Sequence, residues 1–337
     1  MKEAMFYTSL PEGEIRCSLC NHRCKIKEGK RGICGVRENR NRKLYSLVYG
    51  KVVAEHIDPI EKKPLFHFLP GSRAFSIGTV GCNFHCKHCQ NFDISQYPQE
   101  HKGEIIGQDR TPEQIVAAAK AAGCETIAYT YNEPTIFYEF AYDTALLAQK
   151  EGIKNVFVSN GYMSSDAARD IAPYLDAINL DVKAFNDKSY KEVCAARLKP
   201  VLKTIQLMKE LGVWLEVTTL IIPGLNDGEQ ELRDIARFVK GVGHEVPWHV
   251  TQFYPAYKLL DKPRTPVATL RRAREIGMEE GLRYVYEGNV PGEGGENTYC
   301  YACGAVLIER YGLTLIQNRL QDGKCPECGA SIDGVGM

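Results

Sequence analysis

The stretch GCNFHCKHCQN, residues 81–91, decides the fold expected for this chain. It places Cys82, Cys86 and Cys89 in a C-x3-C-x2-C spacing. Three thiolates this close together can bind three irons of a [4Fe–4S] cluster, for which a protein normally supplies four ligands. No fourth cysteine follows within the run, so we predict that the fourth iron keeps a position for a ligand that is not protein. The alternatives are a redox pair or a zinc knuckle, although zinc sites usually place their cysteines as pairs in two separate halves.

The composition is that of an ordinary globular chain, with 337 residues, 44% of them hydrophobic and 25% charged. Lysine plus arginine equals aspartate plus glutamate at 42 each, so no overall positive field indicates nucleic acid or an anionic membrane as a partner. No apolar run approaches the roughly 20 residues of a membrane span, and the N-terminal segment does not read as a signal peptide. Thirteen cysteines, eleven of them in metal-ligand spacings, indicate a reducing compartment, and we expect the cytoplasm.

Three regions differ in composition: a Cys-rich N-terminal metal-binding region at 1–70, a central region at 71–285, and a C-terminal Cys-rich unit at 286–337. The central region alternates short apolar runs with helical patterns, which predicts an α/β fold with a parallel sheet. The strand candidates are 74–79, 126–130, 156–159, 177–181, 214–220 and 248–253. Six units are fewer than the eight of a complete barrel, so a doubly wound sheet and a partial TIM-like barrel both fit.

Polar residues follow the predicted strands at their C-terminal ends. Beyond the cysteine triplet, those residues are Asn132 and Glu133, Ser159 and Asn160, Asp181 and Lys183, Thr218 and Thr219, and Tyr254. Barrel enzymes build their sites from the ends of several strands. The sequence therefore predicts one shared cavity above the sheet.

The order of the motifs resembles a known family. The triplet, followed by YNEP, VSNG, NLDVK and IIPGLND, is similar to radical SAM proteins related to pyruvate formate-lyase activating enzyme. The N-terminal CSLCNHRCKIKEGKRGICGVREN, the stretch FYPAYKLLDKPRTP and GNVPGEGGENTYC resemble a narrower subgroup, the AmmeMemoRadiSam system radical SAM enzymes. The resemblance implies a partial (β/α)6 barrel and an oxidoreductase-type chemistry suited to anaerobic conditions. In such enzymes the cluster reductively cleaves S-adenosylmethionine to a 5′-deoxyadenosyl radical that abstracts hydrogen from a substrate.

The resemblance also implies roles for single residues. Cys82, Cys86 and Cys89 match the cluster ligands, and Glu133 matches a glutamate that contacts the methionine ammonium. Asp181 and Lys183 match an Asp-x-Lys that contacts the methionine end and the ribose. Asn132, Ser159, Asn160 and Tyr254 complete the expected cofactor-binding set, with Tyr254 standing where activating enzymes usually carry a histidine.

Simpler structural roles remain open for several of these residues. Asp181 and Lys183 could form a local ion pair. Glu133 could act as a charge at the N-terminus of the helix that begins near Pro134. Asn160 and the glycine that follows it could form a turn.

The outer cysteines form two further groups. Cys300, Cys303, Cys325 and Cys328 have the C-x2-C-x21-C-x2-C spacing of a zinc ribbon, and we expect structural zinc there. Cys17, Cys20, Cys24 and Cys34 are expected to bind zinc or an auxiliary Fe–S cluster, between which spacing does not decide. Cys194 follows the fourth strand on the predicted site face and is the one catalytic candidate, with simple packing as its alternative.

Two classes of function compete. The first is a radical enzyme that acts on an unidentified substrate in a modification pathway, or that makes a glycyl radical on a partner protein as pyruvate formate-lyase activase does. It implies reduced ferredoxin or flavodoxin as the electron donor, and the subgroup's name implies association with AMMECR-type and Memo-type proteins. The second is a non-catalytic metal-binding interaction module. Zero net charge and the full set of cofactor-type residues favour the enzyme.

Overall fold

The computed structural model describes residues 1–337. The N-terminal region folds into two antiparallel sheets of three strands, with the orders β1-β6-β5 and β2-β3-β4. Its short strands are β1 (Lys2–Glu3), β2 (Tyr7–Ser9), β3 (Ile15–Cys17), β4 (Lys25–Ile26), β5 (Arg37–Arg40), β6 (Lys43–Ser46) and β7 (Lys51–Val52). Ile15, Leu19 and Val36 are buried in the same hydrophobic core as the central sheet. The N-terminal region therefore packs onto the central fold and shares its core.

An eight-stranded sheet forms the centre of the molecule, in the order β16-β15-β14-β13-β12-β11-β9-β8. The strands of this part of the chain are β8 (Ala54–Pro59), β9 (Arg73–Gly78), β10 (Gln108–Asp109), β11 (Thr126–Tyr129), β12 (Lys154–Ser159), β13 (Ala177–Asp181), β14 (Trp214–Ile221), β15 (Trp248–Gln252) and β16 (Val285–Gly288). Strand β10 lies outside this sheet and pairs with β7. Strand β8 runs antiparallel to β9, and the other seven strands are parallel. The edge strands β8 and β16 do not pair, so the barrel is open.

Helices connect the parallel strands. The α-helices are α1 (Phe92–Ser95), α2 (Tyr97–Glu100), α3 (Pro112–Ala121), α4 (Tyr138–Lys150), α5 (Ser165–Ile171), α6 (Asp187–Ser189), α7 (Leu198–Glu210), α8 (Glu229–Val242) and α9 (Val267–Glu279). Helices α3, α4, α5, α7, α8 and α9 each precede the next parallel strand, which gives six strand–helix units and confirms the partial (β/α)6 barrel. Helix α3 begins with the predicted capping box, in which Thr111 and Gln114 cap each other's backbone N–H. None of the helices has the length and apolarity needed to cross a membrane.

The six predicted strands are present, each within two residues of its expected bounds. The sheet is wider than predicted because β8 precedes residue 71 and β16 begins only at residue 285. Strand β8 is an edge strand whose sequence, AEHIDP, carries three ionisable residues. Strand β16 has only four residues and leads into the Gly-rich segment GEGGEN, residues 292–297. Neither strand shows the apolar run by which buried parallel strands are found.

The C-terminal unit is a three-stranded antiparallel sheet made of β17 (Thr298–Tyr299), β18 (Val306–Tyr311) and β19 (Thr314–Asn318). It forms a second small core with Phe66, Tyr284 and Tyr286. The unit is therefore packed against the end of β16 and against the segment that links β8 to β9.

Candidate functional site

The triplet cysteines lie in one loop, residues 79–91, which follows the C-terminal end of β9 and is called here the cysteine loop. Cys82 and Cys86 are each 8% exposed, and Cys89 is partly exposed. The sulfur of Cys82 accepts a hydrogen bond from the backbone N–H of Phe84 at 3.3 Å, so a tight turn holds this thiol inward. The loop presents three thiols at the edge where the parallel strands end.

The start of the cysteine loop is fixed by close packing. Gly81 has φ +92°, and a Cβ there would lie 2.6 Å from Val36 Cγ1 and 2.8 Å from the carbonyl oxygen of Cys34. Only glycine fits these contacts. Asn132 donates to the Gly81 carbonyl at 2.8 Å and to Thr79 Oγ1 at 3.2 Å. Asn132, predicted to bind a cofactor, therefore positions the cysteine loop.

A single turn of π-helix, Tyr190–Cys194, holds the other side of the cysteine loop. The backbone N–H groups of His85 and Lys87 donate to the carbonyls of Cys194 and Val193 at 3.1 and 2.9 Å. Such turns are rare and frequently mark functional sites. The predicted position of Cys194 on the site face is thus observed.

His88 lies in the candidate site, although it was not among the residues predicted from the sequence. Its ligand atoms and the sulfurs of Cys86 and Cys194 all lie within 4.8 Å of one another. His88 is 4% exposed, and neither ring nitrogen has a hydrogen-bond partner. Burial, together with the nearby charge of Lys183, lowers the pKa of His88 to about 3, so the ring is neutral. Its place inside the cysteine triplet was the signal that could have revealed it.

Glu133 is fully buried and joins the ends of β11 and β12. Its Oε1 accepts from the Thr135 N–H at 3.0 Å, the Thr135 hydroxyl at 2.5 Å and the Ser159 hydroxyl at 2.8 Å, and its Oε2 accepts from the Asn160 N–H at 2.8 Å. Burial raises the pKa of Glu133, while these donors oppose the rise. The carboxylate caps the 3-10 turn Pro134–Phe137, as the simpler interpretation expected. Its contact with a bound ammonium stays a prediction.

Asn160 links the end of β12 to the cysteine loop. Its Nδ2 donates to Asn83 Oδ1 at 2.7 Å and lies 3.9 Å from the sulfur of Cys82. Its Oδ1 accepts from the backbone N–H of Tyr162 at 3.0 Å, and Gly161 has φ +71°, so the expected turn is present. Asn160 therefore combines a turn with a contact to the site.

Asp181 and Lys183 form the ion pair that the sequence left as an alternative, with Lys183 Nζ 2.8 Å from Asp181 Oδ2. Burial works against the charge of Lys183, but Asp181 and the thiols of Cys86 and Cys194 raise the pKa of Lys183 well above its ordinary value. The lysine therefore stays protonated and brings positive charge beside the cysteine loop.

Tyr254 is the predicted site residue that stands apart from this buried group. It is 38% exposed, its ring lies 4.5 Å below the Arg264 guanidinium, and its hydroxyl donates to the Asn289 carbonyl at 3.4 Å. The same segment reaches the cysteine loop elsewhere, because the Lys258 N–H donates to the Lys87 carbonyl at 2.9 Å.

Tyr131 adopts a backbone conformation that glycine usually adopts. It has φ +69°, a left-handed conformation that is unfavourable for a bulky residue. Its hydroxyl donates to Asp58 Oδ2 at 2.7 Å, and Lys63 Nζ lies 4.9 Å from its ring centroid. The YNE motif is thus held in its turn by side-chain contacts.

Comparisons with known proteins identify the family of the chain. A family model described as the radical SAM superfamily matches residues 76–239, which include the triplet, Glu133 and Lys183. The chain belongs to the radical SAM superfamily. An uncharacterized protein of Methanocaldococcus jannaschii is 49% identical over 99% of this chain and 100% of its own length. The pyruvate formate-lyase-activating enzyme of Clostridium pasteurianum is 20% identical over 61% of this chain and 89% of its own. The chain is a radical SAM enzyme of the activase-like group.

A solved structure shares the fold of this radical SAM enzyme. The match to Streptococcus suis SuiB bound to S-adenosylmethionine covers 68% of this chain and 53% of the SuiB chain, with a TM-score of 0.51 and 14% sequence identity. At this identity the likeness shows the fold alone.

The residues of this radical SAM enzyme fit a [4Fe–4S] cluster and S-adenosylmethionine. Three thiols are available from one loop, and His88 Nδ1, His88 Nε2 and Asn83 Nδ2 are buried polar atoms without partners. Buried polar groups are nearly always hydrogen-bonded, so these atoms indicate a place for a polar ligand. The protonated Lys183 adds the cation that a carboxylate ligand requires.

Proposed function

We propose that this enzyme abstracts hydrogen from a substrate of a modification pathway. The observation that carries the proposal is the convergence of the triplet with His88 and the Lys183–Asp181 pair where the parallel strands end. When bound, the cluster and S-adenosylmethionine supply a 5′-deoxyadenosyl radical. The chain's own part is to bind, to orient and to keep water away from the reacting atoms.

Each site residue has a role in this proposal. Lys183 offers its ammonium group to the carboxylate of S-adenosylmethionine, and Asp181 holds that lysine in place. Glu133 fixes the ends of β11 and β12 through its four accepted hydrogen bonds, and its Oε2, which has one donor, would accept a further hydrogen bond from the methionine ammonium. The neutral ring of His88 brings to the site two buried nitrogens that have no hydrogen-bond partner. Cys194 stands as the candidate for direct contact with substrate.

We favour a modification pathway over activation of a glycyl-radical enzyme. The activase of Clostridium pasteurianum matches 61% of this chain, whereas the 49% identical relative matches 99% of it, both Cys-rich ends included. In this chain the N-terminal end contacts the site, because the His22 ring lies 2.7 Å from the carbonyl oxygen of Asn83. A region that touches the cysteine loop is placed to shape the entrance for a different substrate.

The proposal also includes partners and a location. Activase-like enzymes support reduced flavodoxin or ferredoxin as the electron donor. The subgroup resemblance supports association with AMMECR-type and Memo-type proteins. The many cysteines in metal-ligand spacings support a reducing compartment, which we propose is the cytoplasm.

Structural zinc is proposed for the C-terminal quartet. All four sulfurs lie within 4.8 Å of one another, and the pairs Cys300–Cys328 and Cys303–Cys325 are 3.6 Å apart. Tetrahedral zinc with Zn–S bonds of about 2.3 Å places its sulfurs roughly 3.8 Å apart. Four thiolates close the coordination sphere, so this site is structural.

Isotope transfer tests the substrate step. Extract from cells grown in deuterated medium is separated by size, and each fraction is incubated with reconstituted enzyme, unlabelled S-adenosylmethionine and dithionite. We expect one fraction to place deuterium in 5′-deoxyadenosine. Transfer from a glycyl-radical enzyme alone would favour activation instead, and cleavage without deuterium from any fraction would contradict hydrogen abstraction from a cellular substrate.

A further inference from the structure

The four N-terminal cysteines surround one apolar cavity. Cys17, Cys20, Cys24 and Cys34 all line it. The rest of the lining is mainly aliphatic and includes Leu19, Ile26, Ile33 and Ile136. Four thiols that share one largely apolar cavity can bind a metal centre, and zinc and an iron–sulfur cluster are the two candidates.

The spacing of the sulfurs distinguishes zinc from a cluster. In the C-terminal quartet all four sulfurs lie within 4.8 Å of one another, which a single tetrahedral ion requires. In the N-terminal quartet no three sulfurs satisfy that limit. The triplet Cys82, Cys86 and Cys89 does not satisfy it either. A cubane cluster binds each thiolate through a different iron and so holds the thiolates further apart. The N-terminal sulfurs are therefore less closely gathered than those of the zinc ribbon, which favours a cluster over a single zinc ion.

A buried cation without a full set of partners lines the same cavity. The Arg37 side chain is 2% exposed. Its Nη1 donates to Glu139 at 3.0 Å and its Nη2 donates to the Met5 carbonyl at 2.6 Å, but its Nε has no partner. Hydrogen bonds to the sulfurs are a usual feature of iron–sulfur sites. Bridging sulfides or thiolates in this cavity would supply the acceptor that the Arg37 Nε lacks.

The cavity adjoins the catalytic loop. Thr135 and Ile136 line it, and Thr135 donates to Glu133. Cys34 contacts Gly81, the residue before Cys82, through its carbonyl oxygen. The cavity of the N-terminal quartet thus lies next to the start of the cysteine loop and next to Glu133.

We propose that Cys17, Cys20, Cys24 and Cys34 bind a second [4Fe–4S] cluster, fully ligated by protein, next to the catalytic one. Of the two metal centres that the sequence left open at these cysteines, zinc and an auxiliary Fe–S cluster, the proposal takes the cluster. The inference concerns metal content and stands apart from the proposed substrate chemistry, so the two can fail separately.

The test uses the full chain purified and reconstituted without oxygen. The triplet variant Cys82→Ala/Cys86→Ala/Cys89→Ala leaves the N-terminal quartet untouched. We expect about eight irons per wild-type chain and about four in the triplet variant, with about one zinc in both. The reduced triplet variant should give a [4Fe–4S] electron paramagnetic resonance signal. S-adenosylmethionine should leave that signal unchanged, because every iron of the remaining cluster already has a cysteine ligand.

The converse variant, Cys20→Ala/Cys24→Ala, should keep about four irons and a signal that S-adenosylmethionine shifts. A triplet variant with no iron and about two zincs per chain would overturn the proposal. That variant keeps all four N-terminal cysteines, so the loss of a ligand there cannot explain such a result.

Discussion

At the scale of single residues, the site depends on charges and conformations that its local packing holds in place. Burial disfavours the charged form of Glu133, while the four hydrogen bonds that it accepts favour that form. Lys183 stays protonated although buried, because Asp181 and two thiols surround it. Tyr131 occupies a left-handed conformation supported by Asp58. These contacts fix the charge of Lys183 and the backbone conformation of Tyr131.

Replacing Lys183 tests its role in binding. We expect Lys183→Met to weaken the affinity for S-adenosylmethionine by about 2 kcal/mol, or roughly thirtyfold in Kd, because a charge-assisted hydrogen bond is lost. The Kd is measured by calorimetry on the oxidised, reconstituted enzyme, with iron content as the check on loading.

The matched control is Lys154→Met. Lys154 also pairs with an aspartate at 2.8 Å, Asp176, but it lies at the start of β12 and is 49% exposed. Its loss should change the Kd by less than about twofold. Equal effects of the two substitutions would show that Lys183 does not contact the ligand.

At the scale of elements, the cysteine loop is held between the barrel and the N-terminal region. We expect Gly81→Ala to cost about 3 kcal/mol of unfolding free energy, because the new Cβ meets Val36 and Cys34 and because φ is positive. The control, Gly123→Ala, has φ +61° but meets nothing within 4 Å, and should cost about 1 kcal/mol.

Denaturant unfolding with a measured iron content checks this prediction. Gly81→Ala should also reduce iron per chain, since the loop it begins carries the triplet. Full iron loading together with a cost equal to that of Gly123→Ala would mean that the loop tolerates displacement.

The elements were largely predictable from sequence, while the contacts between them were not. The central strands are buried apolar runs, which the hydrophobic pattern and the composition of the sequence identify directly. Strands β8 and β16 lack that pattern. The triplet spacing predicted three cysteines in one loop, but the partners of Glu133 and the packing of Cys194 on the cysteine loop depend on residues far apart in the chain. His88 could have been predicted from the sequence, because it lies between two cysteines of the triplet.

At the scale of the whole molecule, buried polar contacts attach the C-terminal unit to the barrel. His67 donates through Nδ1 to the Asp333 carbonyl at 2.6 Å, and its Nε2 accepts from the Tyr286 hydroxyl at 2.5 Å. Arg310 is fully buried and donates to the Phe66 carbonyl at 3.0 Å. A neutral His67, with Nδ1 protonated and Nε2 free to accept, satisfies both contacts.

A pH dependence of stability follows. Burial lowers the pKa of His67 from 6.5 to about 4. Between these values the unfolded chain binds a proton that the folded chain does not, so stability falls as pH is lowered from about 6.5 to about 4, by at most about 1.4 kcal/mol per pH unit.

Unfolding free energies of wild type, His67→Gln and the exposed-site control His101→Gln, measured across this range, check the prediction. The slope should decrease in His67→Gln and persist in His101→Gln. An unchanged slope in His67→Gln would assign the dependence to other groups.

The central claim is that the triplet supports reductive cleavage of S-adenosylmethionine. The most direct measurement is 5′-deoxyadenosine formed by the anaerobically reconstituted, dithionite-reduced enzyme and by its Cys82→Ala variant. Cys82 is chosen because Cys194 lies beside Cys86 and could replace it as a ligand. The control is Cys124→Ala, a cysteine outside the metal spacings. The account predicts cleavage by wild type and by the control and none by Cys82→Ala, whereas undiminished cleavage by Cys82→Ala would contradict it.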